Sequence, residues 1–375
     1  MTTATRDPQF TTTRRLPTHT VWQEQQGIPV HHGYYIEDLR TVEVGDWKAR
    51  GVKAAFIQLE GMPGVTEIRV TEVSAGQTTP PYKLGYDEIV YVLSGNGITS
   101  IWAADEKAKK SFEWNAHSMF RIPRHHTFQF TNTRGNVPVR LMHFNYSPPA
   151  FTGSNDPNFF FNNPYTEPAQ PLEEIFSQAK VENIGAPEGR DPYMWYGNFF
   201  PDMKAWDKLA EYGARGAGGH HVQFTFPNTE INGHRSIFEP LRYKKGHRHG
   251  PGVSIVIPLG EGYSIMWKEG EEKVVVPWHE CSFFTPPDMW FHQHFNTGTT
   301  PARYLALHAG PAFSRTERVA DLSRDQIEYT QEDPWVREMF EKELAKQNAK
   351  SGMPAQCYTD PNFKFEFKQE YAKPM

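Results

Sequence analysis

Cysteine is scarce: the 375 residues include two, Cys281 and Cys357. Two thiols cannot build a disulfide framework, so a reducing, cytoplasmic setting is expected. No apolar run approaches the roughly 18 residues that a membrane helix needs. The stretch from Met1 to Arg15 is polar and Thr-rich, without the apolar segment of a signal peptide. Neither sign of charge dominates. A net charge of −5 is not the balance of a nucleic-acid binder, so neither nucleic acid nor membrane is expected as a partner. Long helices are scarce as well, because 29 glycines and 30 prolines interrupt the chain. Aromatic residues, by contrast, are abundant. They make up 14% of the chain and include ten Trp, which suits β-structure around aromatic-lined interiors.

The length is ample for two domains. Residues 1–50 are polar with turn signals and read as an N-terminal arm, in which His31-His32 reads as a surface pair. Residues 51–150 break into short segments rich in Val, Ile, Phe and Thr, spaced by about ten residues, the spacing of a sandwich or barrel. Residues 151–217 form an aromatic-rich connection with short helical pieces expected around Leu172–Lys180 and Asp202–Tyr212. The β pattern resumes over 218–310. Residues 311–375 are a tail expected to be helical, with Asp333-Pro334 as an N-cap and first-turn proline before a helix from Trp335 to Asn348.

Two stretches of the second β region attract notice. Gly246-His247-Arg248-His249 places two histidines at i and i+2, and Phe291-His292-Gln293-His294 does so again. Side chains alternate along a strand, so each pair shares a face. If both stretches face one interior, up to four imidazoles converge, a set that binds zinc, copper, iron or nickel.

The two β regions are also copies of one another. Ser94-Gly95-Asn96-Gly97 and Trp102 align with Leu259-Gly260-Glu261-Gly262 and Trp267. Trp114 aligns with Trp278, Pro123 with Pro287, and Asn132 with Asn296. Each copy resembles a cupin barrel. That family's first motif is His-x-His followed by a glutamate and a strand ending in Gly-x-Gly. Its second is a proline, a histidine five residues on, and an asparagine four beyond that. His247 and His249 fill the first motif, and Pro287, His292 and Asn296 fill the second. Glu88 to Gly95 resembles the glutamate-bearing strand. The resemblance covers about 50–148 and 219–310. It implies a mainly β protein of two jelly-roll barrels from an internal duplication, with a helical linker and a C-terminal helix. It has features of gentisate-type and related aromatic dioxygenases.

The duplication serves as an internal control. In the first copy the ligand positions hold Tyr82, Leu84 and Phe128, and Glu88 alone remains. That barrel is expected to be metal-free. In the second copy the histidines stay, but Val253 stands at the glutamate position, so the expected ligands are His247, His249 and His292. Three-histidine cupin sites resemble those of Fe(II) dioxygenases. Fe(II) is the expected metal, with Mn, Ni or Zn as alternatives. An anionic, oxygen-chelating substrate, aromatic or diketone-like, is expected with O₂ as its partner. The runner-up is a redox-neutral lyase, decarboxylase or isomerase. A small-molecule sensor is a third reading. His294 aligns with Phe130 and has three open roles: fourth ligand, proton-handling catalytic group, or core histidine. Arg242 and Trp290 are expected at the substrate, against the plainer reading of a charged edge and a core aromatic. A homo-oligomer is expected from the resemblance.

Overall fold

The computed structural model describes residues 10–11, 14–62, 64–103, 109–165, 177–183, 193–205, 210–308 and 322–368. Strands dominate it, and their period-two burial gives each an inner and an outer face. In Glu88–Ser94, Val90 and Val92 point into the first barrel, while Ile89, Tyr91 and Leu93 point out of it. In Val253–Leu259, Val253, Ile255 and Ile257 point in and Val256 points out.

Each half is a jelly-roll sandwich of two facing sheets. In the first half, Met119–Ile122, Glu88–Ser94, Val139–Asn145, Glu67–Val73 and Val52–Leu59 form the larger sheet. Lys110–Asn115, Asn96–Trp102, Thr127–Asn132 and Tyr82–Lys83 form the smaller. The second half repeats this order. Phe283–Phe284, Val253–Leu259, Ala302–His308, Asn232–Phe238 and His220–Thr225 face Val274–Trp278, Gly262–Trp267, Phe291–Asn296 and Gly246–His247. The outward residues of the two large sheets share one core, in which Tyr91, Met142 and Phe200 join Phe224, Val256 and Leu305. The barrels therefore stand back to back, cemented by burial of apolar surface.

The segments outside the barrels brace this arrangement with strands. Val30–Gly33 runs parallel to Val52–Leu59, and Tyr35–Ile36 then pairs with Phe283–Phe284 of the other barrel. Tyr193–Tyr196 lies beside His220–Thr225, and Phe199–Phe200 pairs with Met119–Phe120. The connection thus differs from the helical linker expected. It opens with one helix, Ser147–Ser154, but its other described parts are mostly strands, including Lys180–Asn183 and Ala210–Glu211. Exposed barrel edges offer unpaired backbone groups, and short aromatic segments satisfy them better as strands than as isolated helical turns. The helical piece expected at Leu172 lies outside the described residues up to 176, as do 206–209 of the second piece.

The C-terminal helix forms over Pro334–Ala345, with the Asp333 carboxylate accepting from Trp335 N–H at 3.0 Å. Phe340 and Leu344 pack on Tyr243, Tyr263 and Phe295, covering the outer face of the second barrel's smaller sheet. Of the tail that begins at residue 311, residues 311–321 lie outside the described set, and Leu322–Asp325 is a helical turn.

Candidate metal centre

Gly246–His247 pairs antiparallel with Phe291–Asn296, which sets His247 directly opposite His292. In the latter strand Phe291 and Phe295 face outward into the layer under the C-terminal helix. Alternation then turns His292 and His294 inward. His249 follows two residues after His247. One ligand nitrogen from each of His247, His249 and His292 comes within 4.8 Å of the others.

The protonation of this trio is set by burial. Desolvation pulls His247 and His292 well below the ordinary imidazole range, and it lowers His249 as well. Arg215 lowers His247 further, and the neighbouring His249 lowers His292. All three are therefore neutral near pH 7. The Nδ1–H of His249 donates to Gly250 O at 2.7 Å and that of His292 to Trp290 O at 3.3 Å, which leaves each Nε2 lone pair for a ligand. His247 keeps a buried Nδ1 with no hydrogen-bond partner among the described residues. Three neutral imidazoles with converging lone pairs fit a divalent first-row ion.

His294 stands beside this trio, with ring centroids 5.5 Å from His292 and 6.4 Å from His247. Its Nδ1 lies 2.8 Å from Ser264 Oγ, which also accepts the Trp278 Nε1–H at 3.1 Å. Among the described residues His294 is the acceptor available to the Ser264 hydroxyl. The proton of His294 therefore sits on Nε2. Desolvation, then Lys244, lowers its pKa to about 3, so His294 is a neutral N–H donor. The first barrel has the same pair in Trp114 Nε1–H and Thr99 Oγ1, at 2.8 Å, but Phe130 takes the place of the histidine.

These side chains open onto a cavity of about 270 Å³ that contains seven histidines. Three of them, His221, His234 and His308, were not anticipated from the sequence, nor was Tyr304. They lie on the larger sheet and face the trio of His247, His249 and His292 across the barrel. Among the described residues the lining holds one carboxylate, Asp325, which is engaged by Arg248 and Arg324. Arg248 points away from the trio, and its guanidinium lies 4.5 Å over the Phe291 ring.

Two expected substrate contacts lie elsewhere. Arg242 donates to Gly352 O at 3.0 Å and lies over Phe365, held by the C-terminal tail outside the cavity. Trp290 packs against Tyr34 at 5.7 Å and is absent from the cavity lining. For both, sequence nearness to the motif misled. Arg242 precedes the strand by several residues, and the tail, far away in sequence, claims it.

The first barrel is filled instead. Its cavity is about 40 Å³. Glu88 is fully buried between Arg69 Nη2 at 2.6 Å and His143 Nδ1 at 2.7 Å, with Asn145 Nδ2 at 3.0 Å. Arg69 also binds Glu67 at 2.6 Å, and Glu67 meets His19 of the arm at 2.7 Å. Desolvation alone would raise the Glu88 carboxyl, but Arg69 and His143 outweigh it and hold it far below the usual range. Replacing Glu88 by Ala leaves Arg69 and His143 buried without that partner. The variant is expected to lose about 3–5 kcal/mol of stability in urea unfolding, with the metal content of the second barrel unchanged.

Fold and repeat together define a duplicated architecture of two jelly-roll barrels, one filled and one hollow. No protein-family model and no curated protein matches the chain. Solved structures similar to it include mutants of Bacillus subtilis oxalate decarboxylase, at 11% identity over 75% of this chain and 78% of that one, with a TM-score of 0.46. A further structure of that enzyme, concerned with its Mn(II) centres, aligns over the same shares at 10% identity and the same TM-score. At that distance the nature of the cavity rests on its own residues.

Proposed function

We propose that this chain is a metal-dependent enzyme acting on a small anionic substrate that chelates through oxygen. The observation that supports it is an all-imidazole ligand trio in a hollow barrel whose carboxylate position is Val253. His247, His249 and His292 would hold the ion. A bound first-row ion would supply Lewis acidity and, as Fe(II), redox chemistry with O₂. With no protein carboxylate among the ligands, the ion keeps its full charge, and an anionic substrate is drawn to it. His294 presents Nε2–H toward the reacting end, held in that tautomer by Ser264 and Trp278. A fixed donor of this kind stabilises negative charge that develops on a substrate oxygen. Its depressed pKa makes it a donor and not a base. Gentisate-like or diketone-like compounds suit such a site, which gives an Fe(II) dioxygenase as the first reading.

The second reading is a redox-neutral lyase, decarboxylase or isomerase using Mn, Ni or Zn. It is favoured by the same His294 donor, since stabilising an enolate-like oxygen needs no oxidant. Metal analysis of the purified protein, followed by turnover of a panel of hydroxy-acids, catechols and diketones with and without O₂, separates the two. Stoichiometric O₂ uptake with Fe(II) supports the dioxygenase. Turnover that persists without O₂, with Mn or Zn, supports the lyase. A protein that takes up no metal would overturn both.

A further inference from the structure

The wall opposite the metal trio has a counterpart in the filled barrel, and the comparison is informative. Strand register aligns the two copies residue by residue. In the first, Asn145 lies opposite both Glu88 and Glu67, and His143 opposite Arg69. In the second, His308 lies opposite both Val253 and Asn232, and Ala306 opposite His234. His234 therefore takes the place of Arg69, and His308 that of Asn145. Val253 takes the place of Glu88, and Asn232 that of Glu67. The first barrel encloses a carboxylate and its donors. The second keeps donors and has lost both carboxylates.

The remaining donors are short of acceptors. His234 Nδ1 and His308 Nε2 share one hydrogen bond of 3.0 Å. In that bond one ring donates and the other accepts, so of the two remaining ring nitrogens one keeps its proton and can donate to a ligand. His221, its ring tilted against Tyr212 with centroids 4.0 Å apart, has a buried Nδ1 without a hydrogen-bond partner among the described residues and is 9% exposed. Behind them Lys244 is 1% exposed and donates to Tyr304 Oη at 3.1 Å, and no described carboxylate forms an ion pair with it. A buried cation without a counter-charge calls for an anion.

We infer that His221, His234 and His308 form a carboxylate subsite, in which a substrate carboxylate occupies the volume that Glu88 fills in the other barrel. The inference builds on the proposed metal enzyme and narrows its substrate. The molecule has two oxygen-bearing ends, a chelating group toward His247, His249 and His292 and a separate carboxylate toward the facing sheet. Diacids, and hydroxy- or keto-acids with a second carboxylate, meet that description.

Calorimetric titration of the full-length, Zn(II)-loaded protein tests it, with glutarate and butyrate as probes. The wild type is expected to bind glutarate about tenfold more tightly than butyrate. The double variant His234→Leu/His308→Leu is expected to lose that preference while binding Zn(II) as before. His308→Asn alone is expected to keep it, because Asn145 donates to Glu88 in the first barrel at 3.0 Å. Val253→Glu, which supplies the missing carboxylate from the protein, gives a second test should the Leu variant fail to fold, read in the metal-free protein, where the new carboxylate has no ion to bind. Equal binding of the two probes by the wild type, or an unaltered preference in the Leu variant, would overturn the subsite. The metal-free protein gives an arm independent of the metal reading. Saturation-transfer NMR should show butyrate bound there in the wild type and not in Val253→Glu. Failure to load Zn(II) then counts against the metal enzyme alone, and failure of the butyrate signal counts against the subsite alone.

Discussion

His292→Ala is expected to empty the metal site and reduce turnover to background, whereas His294→Ala keeps the metal and loses activity. His292 faces His247 across one strand pair, and its nitrogen belongs to the cluster within 4.8 Å. Removing one of three ligands leaves two, and the affinity loss should exceed the roughly 10–100-fold typical of outer-shell partners. His294 is held by Ser264, off to one side of that cluster. Elemental analysis after dialysis against a defined metal buffer distinguishes the two, with circular dichroism to confirm that each variant is folded. Metal loss in both variants would make His294 a fourth ligand. Retention in both would put the ion somewhere other than the histidine trio.

The metal-free protein is expected to unfold steeply on mild acidification. Seven cavity histidines, His221, His234, His247, His249, His292, His294 and His308, have folded pKa values below the ordinary imidazole value, in every case chiefly because burial disfavours the charged ring. The sign follows from linkage. A depressed folded pKa contributes stability that is complete above the unfolded pKa, about 6.5, and is lost as pH falls below it, because the unfolded chain then binds protons that the native state does not. Each such group adds about 1.4 kcal/mol of stability per pH unit to the slope. Three or four together remove a typical stability of about 5–15 kcal/mol within roughly two to three pH units. Urea unfolding of the metal-free protein at a series of pH values between about 7.5 and 5 measures the slope. It should correspond to the uptake of several protons, and His234→Leu/His308→Leu should lower it by about two. A flat profile over that range would mean that these histidines already bind protons in the native state, and the account of a cavity of neutral imidazoles would fail.

Much of this was legible in the chain itself. Period-two patterning and the alignment of Gly95 with Gly260 and Trp114 with Trp278 showed two barrels, because a strand's faces are written in alternate residues. The same alternation places His247 and His292 on inward faces without any coordinates. The internal copy showed which barrel had lost its histidines. Other features were not legible. His221, His234 and His308 lie outside both motifs on three other strands, and only the order of strands in the larger sheet turns them toward one cavity. Arg242 and Trp290 are adjacent to the motif in sequence, yet the C-terminal tail and Tyr34 hold them elsewhere. The partners of Glu88 were hidden for the same reason, since Arg69 and His143 reach it from neighbouring strands.

The sequence alone determined that there are two jelly rolls, that the motif histidines stand in one of them, and that three of those histidines are the candidate ligands. Those properties are local: side-chain alternation within a strand and spacing within a motif. The tertiary structure decided the size of the cavity, the facing wall of histidines, the tautomer of His294 and the exclusion of Arg242. Those depend on which strands become neighbours, and pairing between segments distant in the chain is set by the packing of whole sheets, which no single stretch of residues specifies.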